Sequence, residues 1–117
     1  MIVAALKQEV EGLSNQILLT GVGKINATKV LTDYIIKNKP KHIINYGTAA
    51  KVSTKVEVGK IYEVRKFIQR DMDARPIGWE LGKTPYDETP KILDFKSDLS
   101  NDKNIVCGTG DNFCSNR

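Results

Sequence analysis

Residues 16–50 hold the order of segments that most restricts how this chain can fold. Gln16-Ile17-Leu18-Leu19-Thr20 has the apolar make-up of a strand, Gly21-Val22-Gly23-Lys24 is a turn, and Ile25 to Lys37 carries a helical period. Ala27, Val30, Leu31, Tyr34 and Ile35 fall on one face of that helix. Asn38-Lys39-Pro40 ends it, because a residue before proline avoids the α region. The short run Ile43-Ile44 then reads as another buried strand. Strand, glycine turn, helix and strand make a βαβ unit, whose crossover is right-handed almost without exception. Such a unit builds a parallel sheet, so the expected class is α/β.

The remaining segments extend this pattern. Met1 to Leu6 is apolar throughout, as a parallel strand covered on both faces should be. Lys7 to Leu13 reads as a short helix ended near Gly12, and Ser14-Asn15 as a turn. After Ile44 comes Asn45-Tyr46-Gly47-Thr48-Ala49-Ala50, a small-residue turn at the carboxyl end of its strand. Open α/β sheets bind ligands beyond those ends. Gly47, Ala49 and Ala50 would let a ligand approach the backbone amides, and Thr48 adds a hydroxyl that both donates and accepts. Thr48, Ala49 and Ala50 are therefore candidate binding residues.

Lys51 to Lys55 is a polar connection. Ile61 to Ile68 fits strand or helix by period, and its β-branched and aromatic content favours strand. Gln69 to Pro90, rich in Asp, Gly and Pro, is expected to be irregular. Lys91 to Ser97 reads as a short strand or helix, Asp98 to Lys103 as a polar turn, and Asn104 to Gly108 as the last strand.

Composition narrows the function. A chain of 117 residues suits one domain with one modest core. The formal charge of +4 is spread over scattered lysines without an arginine cluster, which argues against nucleic acid as a partner. No apolar run is long enough to cross a membrane, and the first residues lack the basic region of a signal peptide, so a cytoplasmic location is expected. Cys107, Cys114 and the single His42 have no metal-ligand spacing, and the thiols are expected to be free. Asp71-Met72-Asp73 would put two carboxylates on one side of an extended chain, a spacing that suits a metal or an acid/base pair. A solvated loop is the simpler reading, and neither metal nor cofactor is expected. Gly21-Val22-Gly23-Lys24 completes neither a Walker sequence nor a dinucleotide fingerprint, so a tight structural turn is preferred to a phosphate site.

Four blocks in fixed order carry a more specific signal. They are Leu19 to Ala27; Ile43 to Ala50 followed by Val58-Gly59; Asp71-Met72-Asp73 through Gly78-Trp79-Glu80-Leu81-Gly82-Lys83-Thr84-Pro85; and Thr109-Gly110-Asp111-Asn112-Phe113. Together they resemble the methylthioadenosine/S-adenosylhomocysteine nucleosidases of the purine nucleoside phosphorylase superfamily. The resemblance implies a three-layer α/β/α fold around a central mixed sheet. It also implies hydrolysis of the N-glycosidic bond of a 5′-substituted adenosine, with release of adenine. On this resemblance Glu9 holds the attacking water, and Thr48 stands where the family has serine, near the nucleophile and the ribose. Phe113 would stack on adenine, and the backbone of Cys114 would read its edge. The segment from Asp71 to Pro85 would lie at a homodimer interface.

The chain also departs from the family pattern. The segment between Glu9 and Leu18 is much shorter, and Ala50 replaces a glycine. The Met-Glu helix that binds the ribose hydroxyls has no counterpart, nor does the Ser-Asp pair that supplies the acid for the purine; Asp111 belongs to the earlier glycine motif. Phosphate-binding arginines of the phosphorylases are not evident, which favours water as nucleophile. These departures lead to the expectation of an N-terminal portion, residues 1–117 forming one incomplete phosphorylase-like domain with its C-terminal part lacking. The alternatives are a catalytically inactive nucleoside-binding or interaction module, and a purine nucleoside phosphorylase.

Overall fold

The computed structural model describes residues 1–13, 16–95 and 104–114. The turns expected at Ser14-Asn15 and Asp98 to Lys103 lie outside the described residues. The chain divides into two compact units, Met1–Ala50 and Lys51–Arg117.

The first unit is built on three parallel strands, β1 (Ile2–Ala4), β2 (Ile17–Leu19) and β3 (Ile44–Asn45), in the order β2-β1-β3. Ile2 registers with Ile17 on one side and with Ile44 on the other. Helix α1 (Lys24–Asn38) carries the chain from β2 past β1 to β3, the crossover expected from the βαβ order. Its start follows from the glycines: Gly21 and Gly23 hold φ of +80° and +102°, which side chains with a Cβ rarely adopt. Asn26 Nδ2 donates to the Val22 carbonyl at 2.8 Å and closes this turn from within. The helix stops at Lys39, left-handed with φ +48°, whose N–H donates to the Ile35 carbonyl at 2.9 Å just before Pro40. Ala27, Val30, Leu31 and Tyr34 are half-buried as one face, while Ile35 joins Ile25 and Ile36 among the exposed side chains. Among the described residues of the unit, Val3 and Ala4 of β1, Val10 after the first turn, and Thr20 after β2 are buried. Burial is thus concentrated along β1, the strand with a neighbour on each side. In place of the short helix expected after β1, Lys7–Glu9 form a single 3-10 turn.

The second unit has a mixed sheet in the order β5-β4-β6. Strand β4 (Lys66–Gln69) pairs antiparallel with β5 (Ile92–Asp94) and parallel with β6 (Val106–Thr109). Only the end of the strand expected over Ile61 to Ile68 forms, because its partners reach it from Lys66 onward. The last bond before that point is Phe95 N–H to the Arg65 carbonyl at 2.7 Å, and Ile61 is 81% exposed. Phe67 and Phe95 meet edge-to-face with centroids 5.9 Å apart, and Arg65 forks onto Asp94 at 3.0 and 3.3 Å, so side chains as well as the ladder tie β4 to β5. Between β4 and β5 the chain is irregular as expected, apart from one 3-10 turn at Arg75–Ile77 ended by Gly78 at φ +96°. The class is α/β, and one parallel and one mixed sheet are compatible with a phosphorylase-like fold.

Candidate active site

Strand order places a switch point in the first unit. From β1 the chain moves to one side to form β2, then crosses to the other side to form β3. In doubly wound sheets the ligand crevice lies beyond the carboxyl ends of the two strands flanking such a reversal. Here those ends are the residues after Ala4 and the residues after Asn45. Tyr46 N–H donates to the Val3 carbonyl at 2.9 Å, so the β1–β3 ladder holds up to the edge of that region.

Glu9 and Thr48 meet there. The Thr48 N–H and hydroxyl donate to Glu9 Oε2 at 2.9 and 3.0 Å, while Glu9 Oε1 accepts from the Leu6 N–H at 3.0 Å. The last bond is local: a glutamate at the third position of a turn reaching back to cap the residue before it. The bonds from Thr48 span 39 residues of chain and tie the two strand ends together. Gly47 makes the approach possible. A Cβ at that position would lie 2.9 Å from Glu9 Oε2, inside ordinary contact distance.

Charge follows from this geometry. Partial burial pushes the Glu9 carboxyl up, but the Thr48 N–H, the Leu6 N–H, the Thr48 hydroxyl and a contribution from the Ala5 backbone outweigh it. The net result lies below the usual carboxylate value. Glu9 is therefore an ionised acceptor at neutral pH. It can orient a water or a hydroxyl and stabilise positive charge, and it is poorly suited to donate a proton. Ala49 and Ala50 continue the turn beside Thr48 as exposed residues.

The second unit presents the other expected site residues. Phe113 is 98% exposed and Cys114 is exposed, both just after the loop that leaves β6. Arg70 and Asp71, at the end of β4, hold that loop. The Arg70 N–H donates to the Thr109 carbonyl at 2.9 Å, and its guanidinium takes both the side-chain and main-chain oxygens of Asn112. Asp71 Oδ2 accepts from the Asp111 N–H at 2.9 Å. Sequence reasoning did not single out Arg70; its position directly before the paired aspartates and at a strand end was the available signal.

The two aspartates have different partners. Asp73 faces Arg75, which donates from Nε at 2.8 Å and from a terminal nitrogen at 2.7 Å, and its carboxyl is lowered to about 2 mainly by that side-chain bond. Among the described residues no cluster of three or more His, Cys, Asp or Glu could hold a metal ion. No helix among them is long and apolar enough to cross a membrane.

Fold and site together define an α/β protein with a carboxylate held ionised at neutral pH at the switch point of a parallel sheet. No family model matches the chain. Individual relatives do. The 5′-methylthioadenosine/S-adenosylhomocysteine nucleosidase of Staphylococcus haemolyticus is 38% identical over 87 residues, covering 73% of this chain and 36% of that protein. The proteins of the same name from Oceanobacillus iheyensis and Desulfotalea psychrophila are 28% and 32% identical over 107 and 98 residues. They cover 83% and 84% of this chain, and 47% and 38% of their own lengths. The chain belongs to the family of 5′-methylthioadenosine/S-adenosylhomocysteine nucleosidases. It spans between a third and a half of the length of these relatives.

Proposed function

We propose that this chain is part of a nucleosidase that hydrolyses the N-glycosidic bond of methylthioadenosine- or S-adenosylhomocysteine-type nucleosides and releases adenine. The observation that carries the reading is the Glu9–Thr48 pair beyond the ends of β1 and β3. Cleaving this bond builds positive charge on the sugar, and a fixed carboxylate both offsets that charge and aims a water at the anomeric carbon. Water attacking an oxocarbenium-like centre needs orientation more than full deprotonation, so a lowered carboxyl suits the task. In this reading Glu9 is the catalytic residue of the chain. Thr48 holds it and faces the ribose, Ala49 and Ala50 line the approach, Phe113 stacks on the purine, and the Cys114 backbone reads the purine edge.

Purine is a poor anionic leaving group, so the reaction also needs an acid at a ring nitrogen. The carboxyls of Glu9, Asp73 and Asp87 are shifted down, which suits none of the three to donate a proton. We assign the acid to polypeptide beyond the described residues, in keeping with the greater length of the relatives. The 117 residues are taken as one incomplete domain of a cytoplasmic homodimer that requires no cofactor or metal.

The test uses the protein isolated from its native source, with its intact mass recorded. Methylthioadenosine is incubated with it, with and without phosphate, and adenine and the sugar product are measured. Adenine with free methylthioribose, independent of phosphate, is the expected result. A sugar phosphate would make the protein a phosphorylase. Tight binding without adenine release would make it a nucleoside-binding module.

A further inference from the structure

The end of β4 is tied to the loop after β6 more closely than a sheet edge requires. Arg70 acts at both the root and the tip of this loop: its N–H extends the β4–β6 ladder to Thr109, and its guanidinium grips Asn112. Asp71 takes the amide of Asp111 between them. The clamp closes because the loop has no side chain in the way. A Cβ at Gly110 would lie 3.1 Å from both the Arg70 Cζ and the Asp71 Cγ, and one at Gly108 would lie 3.3 Å from the Arg70 Cδ. The next residue, Phe113, is 98% exposed, so no packing within its unit sets the direction of its ring. Its backbone must do so.

We infer that Arg70 and Asp71 are positioning residues that fix the loop Gly110-Asp111-Asn112 so that Phe113 offers its ring face to a purine base; this rests on the reading of Phe113 given above. The planar guanidinium fork suits the task because it meets two oxygens of one residue at once, which a lysine cannot reproduce. Holding an exposed aromatic in its binding direction removes an ordering cost that would otherwise be met on association.

The test is a double-mutant cycle read by calorimetric titration of adenine into the chain. Phe113→Ala is expected to weaken adenine about tenfold, the scale of one base–aromatic stack. Asp71→Ala is expected to weaken it several-fold in the wild-type background and not at all in the Phe113→Ala background, because a positioning residue acts only through the ring it positions. Asp71→Asn, which keeps an acceptor for the Asp111 amide, restores most of the affinity. Independent losses in the double variant, or no rescue by asparagine, overturn the inference. No adenine binding by the wild type, or no effect of Phe113→Ala, instead overturns the nucleoside reading on which it rests. Should Asp71→Ala fail to fold, Arg70→Lys enters the same cycle. Hydrogen exchange at the Asp111 amide reads the clamp without ligand, and unchanged protection in Asp71→Ala also overturns the inference.

Discussion

The Glu9–Thr48 pair exists only because residue 47 is glycine, and Gly47→Ala tests this directly. The Gly47 backbone lies outside the left-handed region, so alanine adds a methyl group without backbone strain. That methyl would sit 2.9 Å from Glu9 Oε2, about 0.5 Å short of the 3.4 Å at which ordinary contact begins. The obstructed atom is the far end of a flexible side chain, so the carboxylate swings away and the sheet stays as it is. What is lost are the two bonds from Thr48, at 2.9 and 3.0 Å. A hydrogen bond to a charged group contributes about 1.5–3 kcal/mol where water is excluded. Thr48 is exposed, and solvent screening brings the expected stability cost to about 1 kcal/mol or less. The effect on charge is larger. With its main donors gone, Glu9 titrates closer to its ordinary value, and carbon-detected NMR titration of the carboxyl should show that rise. The sign follows from linkage: a depressed folded-state value contributes stability above the unfolded value and loses it as pH falls through the folded one. The variant should therefore lose less stability than the wild type on acidification through this range. An unchanged Glu9 titration, together with an unmoved Thr48 amide resonance, would refute the reasoning.

Thr48→Val removes the hydroxyl bond at 3.0 Å and keeps the amide bond, so Glu9 should rise by less than in Gly47→Ala, while Thr48→Ser should leave its titration unchanged; the same NMR experiment decides both. Gly82→Ala meets two obstacles at once, a φ of +88° and a Cβ 2.5 Å from Ile68 Cγ1 in β4. It should cost about 2–4 kcal/mol from strain and overpacking, read by urea denaturation. Gly12→Ala has a similar φ of +85° with open space around the new methyl and should cost about 1–2 kcal/mol; equal losses at the two sites would show that Ile68 is not the obstacle. Arg75→Ala should raise the Asp73 carboxyl from about 2 toward the usual carboxylate range in a titration, stopping short of it because the residue 75 N–H still donates at 3.2 Å, with the melting temperature nearly unmoved because the pair is open to solvent.

The first unit was largely legible because periodicity and punctuation agree there. The helix expected over Ile25 to Lys37 forms over Lys24–Asn38, bounded by Gly23 and by Lys39 before Pro40. The glycine turn is held by its own Asn26, as a structural turn would be. In the second unit local signals fail where pairing decides. Ile61 to Arg65 has the make-up of a strand and joins no ladder among the described residues, whereas Lys66–Gln69 pairs on both sides. At the site, Thr48 follows from its place at the carboxyl end of a strand, whereas Glu9 follows only from the family resemblance. No period in the sequence relates residue 9 to residue 48, because their meeting depends on the β2-β1-β3 order and on β1 and β3 ending side by side. The Arg70 clamp was hidden for the same reason: its partner Asn112 is 42 residues away and on a different strand exit.

The state of Glu9 also constrains how the work of the proposed reaction is divided. A carboxyl that must give a proton to a leaving group needs a raised value, from an apolar wall or a like charge, and Glu9 has donors on both oxygens instead. Removing those donors to make it an acid would also release it from Thr48 and from the strand ends, so one residue at this position cannot fill both roles. Two groups in contrasting surroundings are required: one held charged at the sugar and one held neutral at the base. In the proposed reaction the switch point would provide the first. Its fixed geometry, with Glu9 bound from its own turn on one oxygen and from β3 on the other, leaves little freedom for the carboxylate to follow a proton. That fixed charge is what the proposed role at the sugar requires.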